Sequence, residues 1–193
     1  DVGALLGEGT TYVESGTPVL GLEPSCLLTL RDEFLAMGLG EAAGRLADRA
    51  LLLTEFLARE HAAGRLRLPL APIPQKRALV HGHCHQKAFD ALAPTTAMLK
   101  LVPGLAVDVV ESSCCGMAGS FGYEAEHLET SMRMAELALL PAVRAADELT
   151  LIVADGTSCR HQIADGTRAD GRPRVAVHAI RVIASALAAP PPG

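Results

Sequence analysis

The 193 residues are 49% hydrophobic, enough for a substantial buried core, so composition argues against a disordered protein. A formal net charge of −5 and the lack of a dense run of Lys or Arg argue against a nucleic-acid partner. Every apolar stretch ends well short of the roughly 18 residues of a membrane span, and no signal peptide is visible, so we expect no transmembrane segment and a cytoplasmic location.

The first third of the chain predicts a strand followed by helices. The apolar run TPVLGLEP, Thr17 to Pro24, is typical of a buried strand, and we expect a helix from Leu27 onward. Apolar residues at three- and four-residue spacing predict one amphipathic helix over 41–64. Three prolines in six positions then predict an extended connector.

After the connector the sequence alternates between strand and helix patterns. RALVHG, LAVDVVES, LTLIVAD and RVAVHA are predicted strands, and the segments after them are predicted helices, including one long helix over 124–146. Continuous apolar strands separated by helices are typical of parallel sheets that are covered on both sides. We therefore predict an α/β fold with three layers, in which a mainly parallel sheet carries helices on both faces.

An internal repeat suggests how the chain is divided. TPVLGLEPSCLLTLRDE and LTLIVADGTSCRHQIAD both place Ser-Cys after an apolar strand and before a helix, so Cys26 and Cys159 occupy equivalent positions. The predicted segments are the back half of a first unit (1–67), a Pro-rich connector (68–77), a complete second unit (78–189) and a tail (190–193).

Four of the five cysteines follow predicted strands directly. Cys84 follows ALVHGH, Cys114 and Cys115 follow VDVVESS, and Cys159 follows LIVADGTS. Because the carboxyl ends of parallel strands share one edge of a sheet, we expect these thiols to converge there. An odd number of cysteines without secretory features makes a disulfide framework the weaker explanation, so metal binding, redox chemistry or simple burial remain.

The adjacent pair narrows the kind of metal site. Cys114 and Cys115 fit poorly as two ligands of one tetrahedral zinc, whereas adjacent thiolates can reach different metal atoms of a multinuclear cluster. Gly116 and Gly119 would let the backbone turn tightly beside such a site.

Histidines surround the first of these cysteines in HGHCHQ. His81, His83 and His85 could ligate a metal or donate a hydrogen bond to a sulfur, and an ordinary buried histidine is an equal alternative for each. The same alternatives apply to His161.

Together, GLEPSCLLTLRDEF, LVHGHCHQKAF, ESSCCGMAGSFGYEAEH and VADGTSCRHQIADGT resemble the cysteine-rich CCG domain region. The similarity is to the C-terminal part of FAD-linked, iron-sulfur-containing 2-hydroxyacid dehydrogenases of the D-lactate, D-2-hydroxyglutarate or glycolate oxidase type, which are related to the CCG-containing component of heterodisulfide reductase. The resemblance implies an iron-sulfur cluster, of the 4Fe-4S class, bound by Cys84, Cys114, Cys115 and Cys159.

The sequence departs from the CCG pattern at one informative position. The motif usually ends Cys-x-x-Cys, but the position three residues after Cys159 is Gln162. His83, His161 or Cys26 could supply the missing ligand.

The resemblance also implies a function. This region would relay electrons from a flavin domain to an acceptor, with FAD and a ferredoxin-like module on upstream domains of the same polypeptide. Asp1 stands without an initiator methionine, and we expect a piece that carries no catalytic residue and is not active alone. The alternative is a zinc-binding structural or partner-docking module without a redox role, and a third possibility is a metal-free, redox-active pair of adjacent thiols.

Overall fold

A computed structural model describes residues 13–168 and 171–188, and in this part of the chain the strands form two parallel sheets. The strands are β1 (Val19–Gly21), β2 (Ala50–Leu52), β3 (Arg77–His81), β4 (Ala106–Val109), β5 (Leu151–Ala154) and β6 (Ala176–Val177). β1 pairs with β2, and the larger sheet has the order β4-β3-β5-β6. In the larger sheet Val80 is in register with Val109 on one side and with Val153 on the other.

Helices connect these strands in the crossover arrangement that parallel pairing requires. They are α1 (Pro24–Leu28), α2 (Glu33–Ala36), α3 (Glu41–Ala47), α4 (Leu53–Ala62), α5 (Cys84–Ala88), α6 (Leu92–Leu99), α7 (Leu128–Glu136), α8 (Leu139–Ala145), α9 (Thr157–Arg168) and α10 (Ala179–Ser185). Short 3-10 turns occupy Thr29–Arg31 and Phe121–Tyr123.

Helices cover both faces of the central strands of the four-stranded sheet, β3 and β5, whereas β4 at its edge is largely exposed. On one face Val80 packs in a core with Met98 of α6 and Ile183 of α10. On the other face Ile152 packs with Ile163 of α9 and with residues of α8. Strands buried on both sides need the continuous apolar runs that the sequence shows, and the predicted α/β fold with helices on both faces is confirmed.

The predicted helix over 41–64 is wrong. The segment divides into α3, the strand β2 and α4, because Ala50–Leu52 pairs in parallel with β1. Apolar residues in this stretch fit a helical spacing, but the continuous run from Ala50 also fits a short buried strand, and periodicity alone does not separate the two. Pairing with a distant strand decided the outcome.

The long helix predicted over 124–146 is also wrong. It begins only at Leu128, after a 3-10 turn, and it is interrupted at Ala138, whose φ and ψ of −155° and −41° leave the helical region. Pro141 lies in the first turn of α8, where its missing N–H is not needed, but in one continuous helix it would remove a backbone hydrogen bond and clash with the preceding turn.

The segment around the connector is extended and pairs with a residue that follows α10. Leu70 forms an isolated antiparallel bridge with Leu187, and Ile73 is buried in the main core. The helix expected from Leu27 begins three residues earlier, at Pro24. The predicted tail, 190–193, lies outside the described residues.

No helix within 13–168 and 171–188 combines the length and apolar character needed to cross a membrane.

Candidate metal centre

Three adjacent strands deliver cysteines to one edge of the larger sheet. Cys84 is the first residue of α5, directly after β3, and Cys159 lies in the first turn of α9, after β5. Cys114 and Cys115 lie in the loop that follows β4. Because β4, β3 and β5 are neighbours and parallel, their carboxyl ends lie at one edge of the sheet, and the cysteines converge there as expected.

A cavity of about 600 Å³ opens at this edge, and all five cysteines line it. Cys115 and Cys159 are buried, Cys84 and Cys114 are half-buried, and Cys26 is exposed on the part of the wall that comes from the β1–β2 region. The free thiols therefore face one common space rather than separate parts of the core.

Hydrogen bonds between the thiols divide their protons unevenly. The thiol of Cys115 and then that of Cys84 lower the pKa of Cys114 far below its usual range. The hydrogen bond from Cys115, with a smaller contribution from His81, lowers the pKa of Cys159 to about 5 despite its burial. Correspondingly, hydrogen bonding to the neighbouring thiolates and burial raise the pKa values of Cys84 and Cys115.

These opposite pKa shifts are typical of thiols that lie so close together that ionisation of one disfavours ionisation of its neighbours. The pKa values of Cys114 and Cys159 are lowered because the thiols of Cys84 and Cys115 donate to them, and the pKa values of Cys84 and Cys115 are raised in turn. A bound cation would remove that competition, because metal ligation displaces protons from thiols.

The loop that carries the adjacent cysteines depends on Gly116. Its N–H donates to the sulfur of Cys114 at 3.3 Å, and its φ of +97° is in the region that favours glycine. A Cβ at this position would lie 2.2 Å from the carbonyl oxygen of Ser131 in α7. The loop can therefore approach α7 this closely only with glycine at 116.

A lysine fastens the start of the same loop. Nζ of Lys87, in α5, donates to the carbonyl oxygens of Ser112 and Ser113, the latter at 2.8 Å, and lies 3.4 Å from the Ser112 hydroxyl. Burial lowers the pKa of Lys87, whereas the nearby cysteine thiolates raise it. The ammonium group thus ties down the loop and lies close to the negative charge of the thiolates.

His81 lies beside two of the buried thiols, although it is not among the residues that line the cavity. One of its ring nitrogens and the sulfurs of Cys115 and Cys159 all lie within 4.8 Å of one another, and the three residues are buried. Nδ1 of His81 is 2.9 Å from the Ser112 hydroxyl, while Nε2 is buried and has no hydrogen-bond partner. His83 also reaches a sulfur, since its Nδ1 lies 3.8 Å from Sγ of Cys84, but it is His81 that forms a group with Cys115 and Cys159.

The other candidates for the missing ligand are placed differently. His83 is buried and lines the cavity, but its Nδ1 accepts the N–H of His85 at 3.2 Å and so caps α5. His161 is exposed, its Nδ1 is 2.7 Å from the hydroxyl of Tyr123, and it is not among the residues that line the cavity. Cys26 lines the cavity but is exposed.

Gln162 has a structural partner of its own. Its Nε2 donates to the carbonyl oxygen of Ser131 at 3.0 Å and lies 2.9 Å from the Ser131 hydroxyl, and the side chain is buried. The amide therefore joins α9 to α7 beneath the cysteine loop. The position that differs from the CCG motif supports the loop instead of offering a ligand.

The donor set fits a soft or borderline metal. Thiolates suit zinc and iron-sulfur clusters, and a backbone N–H directed at a cysteine sulfur is a recurrent feature of cluster sites. A metal-binding histidine keeps one ring nitrogen free of protein hydrogen bonds. The buried, unpartnered nitrogen of His81 beside two sulfurs fits this description. The residues present therefore fit the iron-sulfur cluster that the sequence resemblance implies, and also fit zinc.

Comparisons with known proteins agree with the resemblance seen in the motifs. The chain is 33% identical over 175 residues to the C component of anaerobic glycerol-3-phosphate dehydrogenase from Escherichia coli strain K12, an alignment that covers 90% of this chain. It is 32% identical over 149 residues to D-2-hydroxyglutarate dehydrogenase of the same strain and 30% identical over 151 residues to that of Pantoea ananatis strain AJ13355. No family model and no solved structure matches the chain.

The aligned region is a minor part of each relative. It spans 41% of the glycerol-3-phosphate dehydrogenase component and 14% of each D-2-hydroxyglutarate dehydrogenase. The relatives therefore contain further regions that have no counterpart in these 193 residues.

Proposed function

Since this chain is homologous to segments of two kinds of dehydrogenase, and its cysteine group is compatible with a CCG-type region, we propose that it is the iron-sulfur, electron-transfer region of a flavin-dependent 2-hydroxyacid dehydrogenase. The observation that carries the proposal is the single cavity lined by all five cysteines. An iron-sulfur cluster, when bound, supplies one-electron transfer between a flavin and an acceptor.

In this proposal Cys84, Cys114, Cys115 and Cys159 hold a cluster of the 4Fe-4S class. The N–H groups of Gly116 and Ala118 bond to the sulfur of Cys114 and stabilise its negative charge. Residues 78–189 would then form the complete cluster-binding unit, and residues 1–67 the back half of a preceding unit.

The position of the site suits exchange of electrons with a partner. Cys26 and Tyr123 are exposed at the wall of the cavity, and Tyr123 retains 59% of its accessible surface. Cys84 and Cys114 are only half-buried behind them. A flavin-bearing domain or an acceptor could approach this opening without unfolding any element of the sheet.

Metal analysis of the anaerobically prepared chain tests the proposal. We expect reconstitution with ferrous iron and sulfide to give a brown protein that retains iron and acid-labile sulfide after desalting and shows an EPR signal in one redox state. The matched control is the quadruple variant Cys84→Ser, Cys114→Ser, Cys115→Ser, Cys159→Ser, which keeps the shape of the side chains but not the thiolates. Iron that is equally retained by this variant, or absent from both proteins, would contradict the proposal.

A zinc-binding structural or docking module is the second candidate. The observation that favours it is the compact buried group of one histidine and two cysteines, His81, Cys115 and Cys159, because mixed nitrogen and sulfur ligation is common in structural zinc sites. Stoichiometric zinc that excludes iron during reconstitution would support this candidate and refute the electron-transfer role.

The relatives differ in the substrates that their names give. The longer alignment, 175 residues against 149, is with the glycerol-3-phosphate dehydrogenase component, which favours a second version of the electron-transfer role in an enzyme of that kind. The complete enzyme decides between the two versions. If D-2-hydroxyglutarate or another D-2-hydroxyacid reduces its flavin and glycerol-3-phosphate does not, the first version holds, and the opposite result supports the second.

A further inference from the structure

The final residue of β3, His81, is held in one orientation beside the thiols. It is 1% exposed, and its Nδ1 lies 2.9 Å from the hydroxyl of Ser112, which immediately precedes the cysteine loop. Lys87 lies 3.4 Å from the same hydroxyl oxygen. The Ser112 hydroxyl can accept from Nδ1 or donate to it. In the tautomer in which Nδ1 donates, Nε2 carries a lone pair and no proton, as a metal ligand must.

Among the described residues Nε2 has no hydrogen bond of regular geometry, although His81 is close enough to the Cys159 sulfur to lower the pKa of that thiol. Nε2 is fully buried without a hydrogen-bond partner, and leaving a buried polar atom unpaired costs about 1–3 kcal/mol. Because Nδ1 is engaged by Ser112, we infer that Nε2 is the nitrogen that faces the sulfurs of Cys115 and Cys159. Histidines that ligate metals show this arrangement, with one nitrogen bonded to an oxygen and the other free for the metal.

The other histidines near the site do not share these features. Nδ1 of His83 caps a helix, so this nitrogen is already engaged although it lies 3.8 Å from Sγ of Cys84, and His161 is exposed beside Tyr123. Nδ1 of His85 is also buried and unpartnered, but no group of three metal-ligating atoms among the described residues includes it.

We propose that Nε2 of His81 is a direct ligand of the metal that Cys115 and Cys159 bind, and that it replaces the thiolate that a CCG motif would supply at position 162. This proposal rests on the proposed function in taking the metal to be an iron of the cluster. Gln162 is engaged with Ser131, and the end of β3 supplies the nitrogen that lies with the sulfurs of Cys115 and Cys159. Mixed ligation has a consequence, because replacing thiolate with neutral imidazole raises the reduction potential of an iron-sulfur centre.

Pulsed EPR of the reconstituted full chain tests direct ligation. We expect the wild-type cluster to show a strong hyperfine coupling from a histidine nitrogen. When histidine is labelled with ¹⁵N, the ¹⁴N coupling should be replaced by the corresponding ¹⁵N coupling. His81→Ala should abolish this coupling and weaken iron retention by about tenfold or more. His81→Cys should restore iron retention, show no nitrogen coupling and shift the reduction potential to a lower value. His61→Ala, which removes an exposed histidine from α4, is the control and should leave all three readouts unchanged.

The outcomes separate this proposal from the function on which it rests. A wild-type iron-sulfur cluster without histidine nitrogen coupling would overturn the role of His81 and leave electron transfer standing. Zinc bound in place of iron, with nitrogen among its ligands by X-ray absorption and lost in His81→Ala, would refute the function but support His81 as a ligand. Zinc ligated by sulfur alone, or no bound metal, would refute both. Should His81→Ala fail to fold, absence of nitrogen coupling from the ¹⁵N-labelled wild type still overturns the role of His81, and loss of a coupling that is present in the iron-retaining His81→Cys assigns it to this residue.

Discussion

Glu23 and Thr157 connect the region of the small sheet to the site on the large one. Oε2 of Glu23, just before α1, accepts both the N–H and the hydroxyl of Thr157 at 2.8 Å, and Thr157 is the first residue of α9. The carboxylate therefore satisfies a free N–H at the start of the helix that carries Cys159, across 134 positions of sequence. The two halves of the chain therefore meet at the helix that carries Cys159.

Removing this carboxylate should loosen both the helix start and the contact. We expect Glu23→Ala to lower the free energy of unfolding by about 1 kcal/mol, the usual effect of losing a capping side chain, whereas Glu23→Gln should lose less because its amide oxygen can still accept. Urea unfolding of the metal-free proteins measures both. Equal losses in the two variants would show that the charge, rather than the cap, stabilises α9.

The same pair predicts a dependence on pH. Burial raises the pKa of Glu23, but hydrogen bonds from Thr157 and Ser25 outweigh it and leave the pKa below the ordinary value of 4.5. A carboxyl group whose pKa is lower in the folded state stabilises the fold above pH 4.5 and loses that contribution as the pH falls through the folded-state pKa. The stability difference between wild type and Glu23→Gln should therefore be constant near neutral pH and shrink below pH 4.5. A difference that stays constant down to about pH 3 would argue against the lowered pKa.

Substitutions at two glycines of the cysteine loop can distinguish the cost of a steric clash from the cost of backbone strain. Gly116 and Gly119 have φ values of +97° and +68°, but only at 116 would a Cβ meet other atoms within 4 Å, the nearest being the carbonyl oxygen of Ser131. We expect Gly119→Ala to cost about 1 kcal/mol through strain, and Gly116→Ala to cost about 3 kcal/mol or more because α7 must move. Urea unfolding, with iron retention as a second readout, measures both variants. Similar costs at the two positions would contradict the importance of the Ser131 contact.

The convergence of the cysteines could be predicted from the sequence because it depends only on where the strands end. Cys84, Cys114 and Cys159 each follow an apolar strand, and parallel strands end at one edge, so their convergence could be predicted without any contact being known. The pattern could not locate β2, because a strand of three residues is defined by its pairing with β1 and not by its own composition.

Choosing between neighbouring histidines was beyond the sequence for a related reason. Residues two positions apart on a strand share one side, so alternation does not separate His81 from His83. The difference comes from Ser112, which lies 31 positions after His81 and orients its ring. The function of Gln162 likewise depends on Ser131 in another helix. Side-chain partners at long range are visible only once the helices are placed.

Lys87 offers a test of how the cysteine loop is held. We expect Lys87→Met to keep most of the packing of the side chain but to leave the carbonyl oxygens of Ser112 and Ser113 without their charged donor, at a cost of about 1–3 kcal/mol. Hydrogen exchange of the backbone amides from 114 to 118 should become faster in the variant and remain unchanged in Lys100→Met, an exposed control. Unaltered exchange in the loop would mean that Gly116 and α7 hold it without the lysine.

The five cysteines line one cavity but are not expected to contribute equally. Cys115→Ser should retain little iron after reconstitution, because the buried thiol of Cys115 is in hydrogen-bonding contact with those of Cys114 and Cys159 and lies at the centre of the group. Cys26→Ser should retain iron at nearly the wild-type level, because the exposed thiol of Cys26 lies on the wall contributed by the other half of the chain. Iron and sulfide per chain, determined after desalting, provide the measurement, and circular dichroism of the metal-free variants checks that both are folded. Loss of iron in Cys26→Ser to the level of Cys115→Ser would make Cys26 a ligand and would mean that the metal centre is completed from both halves of the chain.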